Sequence, residues 1–174
     1  SEFNADILLV DQITNTEAYK LTQAFSKDDM NTKVEFARSF RNTKVLSAFM
    51  PMSEGYGVNG VNERIMNEVE ADALMTLTLD LEISESKDEK VLMMPKFAFE
   101  IVGKTNGTTV NTKYCTGTIK SVTGVSFKKD ITPGELEAIV RKSDLLTVFH
   151  KGLKELKEKE KTNGDYDLIW NLQK

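Results

Sequence analysis

The chain has 174 residues, 40% of them hydrophobic and 29% charged, with a formal net charge of -4. That length suits one globular α/β domain, residues 1–174, with a sizeable core. The interspersed charges leave no basic footprint for nucleic acid, no apolar run approaches the roughly 20 residues that span a bilayer, and a single cysteine, Cys115, excludes an intramolecular disulfide.

Taken in order, Ile7-Leu8-Leu9-Val10 is a continuous apolar run and predicts a buried central strand over about 6–13. Asn15 or Thr16 is then placed to cap a helix running through Ala18, Leu21 and Phe25. Residues 30–40 fit both periods, with a helix favoured on Met30, Val34 and Ala37. Residues 44–50 read as a second strand, stopped by Pro51. A loop with Gly55, Gly57 and Gly60 leads to a short helix, capped by Asn62, whose apolar side is Ile65, Met66 and Val69.

The next stretch carries the strongest signal. Met75, Leu77, Leu79, Leu81 and Ile83 alternate with Thr76, Thr78, Asp80, Glu82 and Ser84. Alternation over that length predicts a strand with one buried face and one wet face. A charged turn over 85–90 follows, and then a strand with Val91, Met93, Phe97, Phe99 and Ile101 on one face. Pro95 cannot donate a ladder hydrogen bond, which implies an edge position or a bulge. Asn106-Gly107 predicts a tight hairpin, returning as a strand over about 109–120 in which Gly117 marks a bulge. Gly124 makes a bend before Val125, Ser126 and Phe127.

Thr132, Pro133 and Glu135 form the start of a helix. Leu136, Ile139, Val140, Leu146, Phe149, Leu153 and Leu156 make its buried side, so one continuous helix is expected. Its lysine-rich tail, Lys151 to Lys161, is interspersed with Glu155, Glu158 and Glu160 and reads as a solvated face with i,i+4 pairs. Asn163-Gly164 ends it, and Tyr166, Leu168, Trp170 and Leu172 predict a closing strand. The order is β-α-β-α-β-β-β-α-β. The fold class is α+β, with a mixed, mostly antiparallel sheet and helices mainly on one face.

Motifs with chemistry are few. Gly55-Tyr56-Gly57-Val58-Asn59-Gly60 matches G-x-G-x-x-G between a strand and a helix, and Asp80 or Glu82 lies about 20 residues on. In a dinucleotide site such glycines let backbone amides reach a pyrophosphate. Here four residues separate strand from glycines, the helix is short, and the acidic residues sit mid-strand. A plain loop explains the motif, and no cofactor is expected. His150, on the long helix, has no partner serine or cysteine motif and reads as a helix-flank residue. Cys115 reads as a buried, inert thiol. One histidine and one cysteine leave no tetrahedral metal set. Met52, Met94 and Tyr56 flank strand ends or the glycine loop, where a partner groove could open.

The helix ending in Glu70-Ala71-Asp72-Ala73-Leu74 before a long strand resembles the (G/A)-D-(A/Y)-hydrophobic junction of two bacterial envelope families, the curli-assembly lipoproteins and the N-terminal domain of the Tol-system translocation protein. The stretches that carry the likeness are Ile7 to Val10, Val45 to Phe49, Ile65 to Val69 and Ala71 to Ile83. Ala71 stands where a glycine is common, and residues 28–42 have no counterpart. The resemblance implies a non-enzymatic protein of the periplasm or outer membrane that works through protein partners. Ser1-Glu2-Phe3 resembles a cloning remnant, which leaves room for a removed leader or lipid anchor. The alternative is a small enzyme or ligand carrier holding a nucleotide or apolar ligand near Gly55–Gly60.

Overall fold

The structure is a computed structural model that describes residues 5–22, 43–44, 60–85, 90–104, 111–128 and 133–163. These hold five helices, α1 (Val10–Thr14), α2 (Glu17–Lys20), α3 (Val61–Glu68), α4 (Pro133–Lys142) and α5 (Leu145–Asn163), and four strands, β1 (Ala73–Glu85), β2 (Lys90–Lys104), β3 (Asn111–Lys120) and β4 (Val125–Lys128). The fold is α+β with an antiparallel four-stranded sheet. β2 is central, β1 lies on one side of it, and β3 and then β4 pair along the other. Met93 faces Val125 and Val91 faces Phe127 in the β2–β4 register. The chain packs as two compact units, one holding α1, α2, α3 and the described parts of 60–74, 102–104 and 111–113, the other drawn from 75–101 and 114–163.

In the first unit, Ala18, Tyr19 and Ile65 form a core with Ile13, Val61 and Leu74 packed around it. α2 has only four residues, too few to hold itself. It is fixed at both ends by distant charges. The Glu68 carboxylate accepts from the Glu17 and Ala18 amides at 2.6 and 2.9 Å, beside the Thr16 hydroxyl that accepts from Tyr19 N at 3.2 Å. At the other end the Lys44 ammonium donates to the carbonyls of Tyr19, Lys20 and Thr22 at 3.2, 2.8 and 2.8 Å. A carboxylate at the helix start and an ammonium at its end both match the helix dipole.

The strand expected over 6–13 does not form. Residues 5–9 are irregular, α1 begins at Val10, and Ile7 and Leu9 are exposed. The Leu9 amide donates to the Gln12 side chain at 2.8 Å, so a local polar bond fixes a helix start where the apolar run alone suggests a strand. Thr16 is the cap expected of it, but α2 stops at Lys20. α3 begins two residues earlier than expected, with Gly60 rather than Asn62 at the cap position. α3 then ends in a Schellman turn. The Ala71 amide donates to Met66 O at 2.8 Å, the Glu70 amide to Asn67 O at 3.4 Å, and Glu70 has φ 55°. That turn is the physical content of the helix–strand junction at Glu70-Ala71-Asp72.

In the second unit, Met93, Val125, Phe127 and Ile139 form the core, joined by Leu81 and Val91. Phe97 and Phe99 meet Phe149 of α5 edge-on, at ring centroid distances of 5.4 and 5.8 Å. The odd-numbered residues of β2 and β3 thus face the helices. Pro95 sits in the central strand, opposite residues 121–124, which belong to no strand and interrupt the pairing between β3 and β4. Ser121 N donates to Pro95 O at 3.0 Å. In an antiparallel pair a residue's N and O point to the same neighbour, so the missing donor of Pro95 faces the gap between β3 and β4. Gly117 is a close approach rather than a bulge: a Cβ there would lie 2.7 Å from two Phe99 ring atoms.

The single long helix expected after Pro133 is broken at Ser143-Asp144. The Ser143 hydroxyl turns back to Val140 O at 3.2 Å. The Asp144 carboxylate leaves its own helix to accept from Ser121 Oγ and, at 3.1 and 3.2 Å, from the Val122 and Thr123 amides. The strands expected over 44–50 and 166–172, the helix over 30–40 and the Asn106-Gly107 turn lie outside the described residues, Lys44 apart.

Candidate interaction surface

β1 is a 13-residue strand with the alternation read from the sequence. Its polar residues face away from the helices. Lys96 Nζ lies 3.4 Å from Asp80 and 3.8 Å from Glu82, and Lys120 Nζ also pairs with Glu82. The hydrogen bond from Lys120 holds the Glu82 carboxyl below the usual carboxylate range, with the charges of Lys120 and Lys96 acting the same way. Next to these ion pairs the open face dips into a shallow depression of about 480 Å³, lined by Thr76 and Thr78, Ala98 and Glu100, Thr116 and Thr118. It is broad and open, unlike the enclosed apolar clefts that hold small ligands.

The aliphatic row of β1 departs from the expected burial. The alternation predicts it inside, yet Met75, Leu77, Leu79 and Ile83 are 37%, 47%, 43% and 63% exposed. Only Leu81 reaches the core of Met93, Val125, Phe127 and Ile139. Among the described residues α4 and α5 lie over β2 and β4, through Phe149 on Phe97 and Phe99 and through Ile139 on Met93 and Val125, and of the aliphatic row of β1 only Leu81 joins that packing. Full burial of one Leu, Ile or Met contributes about 1.5–3 kcal/mol. Four half-exposed side chains in one row therefore leave on the order of several kcal/mol available to whatever covers them.

Among the described residues no strand pairs with the outer side of β1. Edge strands are ordinarily blunted by lysine, proline, bulges or inward charges. The β1 sequence ALMTLTLDLEISE holds no lysine, arginine, proline or glycine, and its aliphatic row carries no charge.

The other sequence-derived sites fare differently. Met52, Gly55, Tyr56 and Gly57 lie outside the described residues. Gly60 is buried, with φ -62°, and its carbonyl accepts from Arg64 N at 3.0 Å, an ordinary helix start. Met94 is half-buried, and its side chain with that of Leu92 covers Gly124, where a Cβ would come within 3.2 and 2.7 Å of them. His150 is half-buried on α5. Burial, and secondarily Glu160, pushes the Cys115 thiol up, which disfavours the thiolate needed for nucleophilic chemistry. Among the described residues no group of three or more His, Cys, Asp or Glu side chains is placed to hold a metal, and no helix is long and apolar enough to cross a membrane.

The alternation locates the β1 row but points it to the core. The signal that could have exposed it is the tail of α5, LKELKEKEK, whose charged faces leave few apolar side chains to lay on a sheet. No protein-family model, curated protein or solved structure matches the chain.

Proposed function

We propose that the protein is a non-enzymatic binding or assembly protein that acts through a protein partner, with β1 as the docking element. The observation that carries this reading is the 13-residue strand β1, with no partner on its outer side among the described residues, whose Met75, Leu77, Leu79 and Ile83 remain exposed. Partners that add a strand to such an edge gain main-chain hydrogen bonds for affinity, and the alternating side chains supply specificity. A bacterial envelope setting, periplasmic or lipid-anchored, is part of the proposal. It is drawn from the likeness of the α3–β1 junction to the curli-assembly and Tol-system families. Of the stretches that carry the likeness, Ile65 to Val69 closes α3 and Ala71 to Ile83 leads into and forms β1, whereas Ile7 to Val10 lacks its strand.

The test places a photo-crosslinking amino acid at Leu79 and irradiates cells that make the full chain. A discrete adduct at Leu79, absent when the same group replaces His150 on α5, is the expected result. No adduct at Leu79, together with clear thermal stabilisation of the purified chain by NAD or ATP, would overturn the reading in favour of a nucleotide carrier.

A further inference from the structure

We infer that the occupant of the β1 edge is a second copy of this chain, paired antiparallel to it about a two-fold axis at Leu79. This rests on the reading of β1 as a docking edge and names its partner. A two-fold interface sets each residue against its mirror position. With the axis at Leu79, Met75 faces Ile83, Leu77 faces Leu81 and Leu79 faces itself, so the whole aliphatic row is matched without a gap. On the other face Thr76 meets Glu82 and Thr78 meets Asp80. Each carboxylate then stands opposite a hydroxyl that can donate to it.

Neighbouring registers are worse. Centring on Asp80 sets that carboxylate against itself, and like charges directly opposite are destabilising. Centring on Thr78 puts Leu74 against Glu82 and Ile83 against Ala73. Centring on Leu81 puts Asp80 against Glu82. Charge is also compensated along the edge. β1 brings two carboxylates at its polar centre, and Lys96 and Lys120 of the same copy already pair with them. Two β1 strands therefore approach without a net negative row on either side.

Sedimentation velocity across a range of chain concentrations, with nitroxide pairs measured by pulsed electron resonance, tests the inference. Labels go at Thr76→Cys or Ser84→Cys in a Cys115→Ser background, both on the polar face of β1. A rise of about 3.4 Å per residue predicts backbone separations of about 20 Å for Thr76, six residues from its facing position, and about 34 Å for Ser84, ten residues away. An axis at Asp80 would instead make the two equal, at about 27 Å. A dimer with the unequal pair, lost in Leu79→Lys, is the expected result. If Leu79→Lys fails to fold, the two distances still decide on an otherwise intact strand. A chain that stays monomeric while Leu79 crosslinks to a different protein overturns the second copy and keeps the docking edge. A chain that stays monomeric with no adduct overturns both, and a dimer with other distances overturns this register.

Discussion

β1 and β2 present the same kind of side chain on the same face of one sheet and meet different surroundings. On β2, Met93 and Ile101 are buried and Phe97 and Phe99 stack on Phe149. On β1, Met75, Leu77, Leu79 and Ile83 stay open. The strands differ in what lies above them, because α4 and α5 carry enough apolar surface to cover one side of the sheet and not the other. Hydrophobic alternation thus encodes a face that must be covered, and the covering need not come from the same fold.

The largest expected effect breaks the covered half. Ile139→Ala removes a fully buried side chain from the core and is expected to cost about 2–5 kcal/mol in urea unfolding. Leu79→Ala in the monomer is expected to stay within about 0.5 kcal/mol, as surface changes do. Equal costs would show that β1 is as covered as β2. Next is Gly117→Val. Its side chain would collide with the Phe99 ring beside Phe149, and overpacking of this kind costs about 1–3 kcal/mol. A cost near zero would place the Phe99 ring elsewhere.

Glu70→Gly sharpens the account of the junction that launches β1. Glu70 holds a left-handed conformation at the end of α3, and glycine is expected to raise stability by about 1 kcal/mol there. Destabilisation would mean that the Glu70 side chain supports the turn. The smallest effects are acid ones. The hydrogen bond from Ser121, followed by that from the Thr123 amide, holds the Asp144 carboxyl low, and the Lys120 bond does the same for Glu82. A lowered folded pKa contributes stability that is present above the unfolded pKa and lost as pH falls through the folded one. Urea midpoints followed below the ordinary carboxylate range should therefore fall less steeply in Asp144→Asn than in the parent. Glu82→Gln should change them less still, and mainly at low salt, because its ion pairs are half-exposed. A steeper fall in either variant would mean that the folded-state carboxyl is raised rather than lowered.

Much of the sheet was legible in the sequence because its period is local. Met75 to Ile83 and Val91 to Ile101 form the strands their alternation predicts, whereas Val125–Lys128, too short to show a period, forms a fourth strand that the reading of a bend at Gly124 does not include. What failed depended on partners distant in the chain or on single polar bonds. Four aliphatic residues at Ile7–Val10 look like a core strand, and one Gln12 side chain settles a helix start instead. The helix break at Ser143-Asp144 follows from a carboxylate recruited by a turn more than 20 residues earlier. The candidate surface was half legible. The apolar row could be read from its spacing, but its exposure is a property of what α4 and α5 fail to cover. Of the glycine loop that looked most like a motif, only Gly60 is described, and it begins an ordinary helix.

The aliphatic row of β1 lies open in the monomer. Methyl NMR of the dilute chain, with a soluble paramagnetic agent that broadens whatever solvent reaches, measures this directly. Strong broadening of the Met75, Leu77, Leu79 and Ile83 methyls is expected, while those of Ile101 and Ile139 stay sharp. Protection of the four β1 residues equal to that of Ile139 would contradict it.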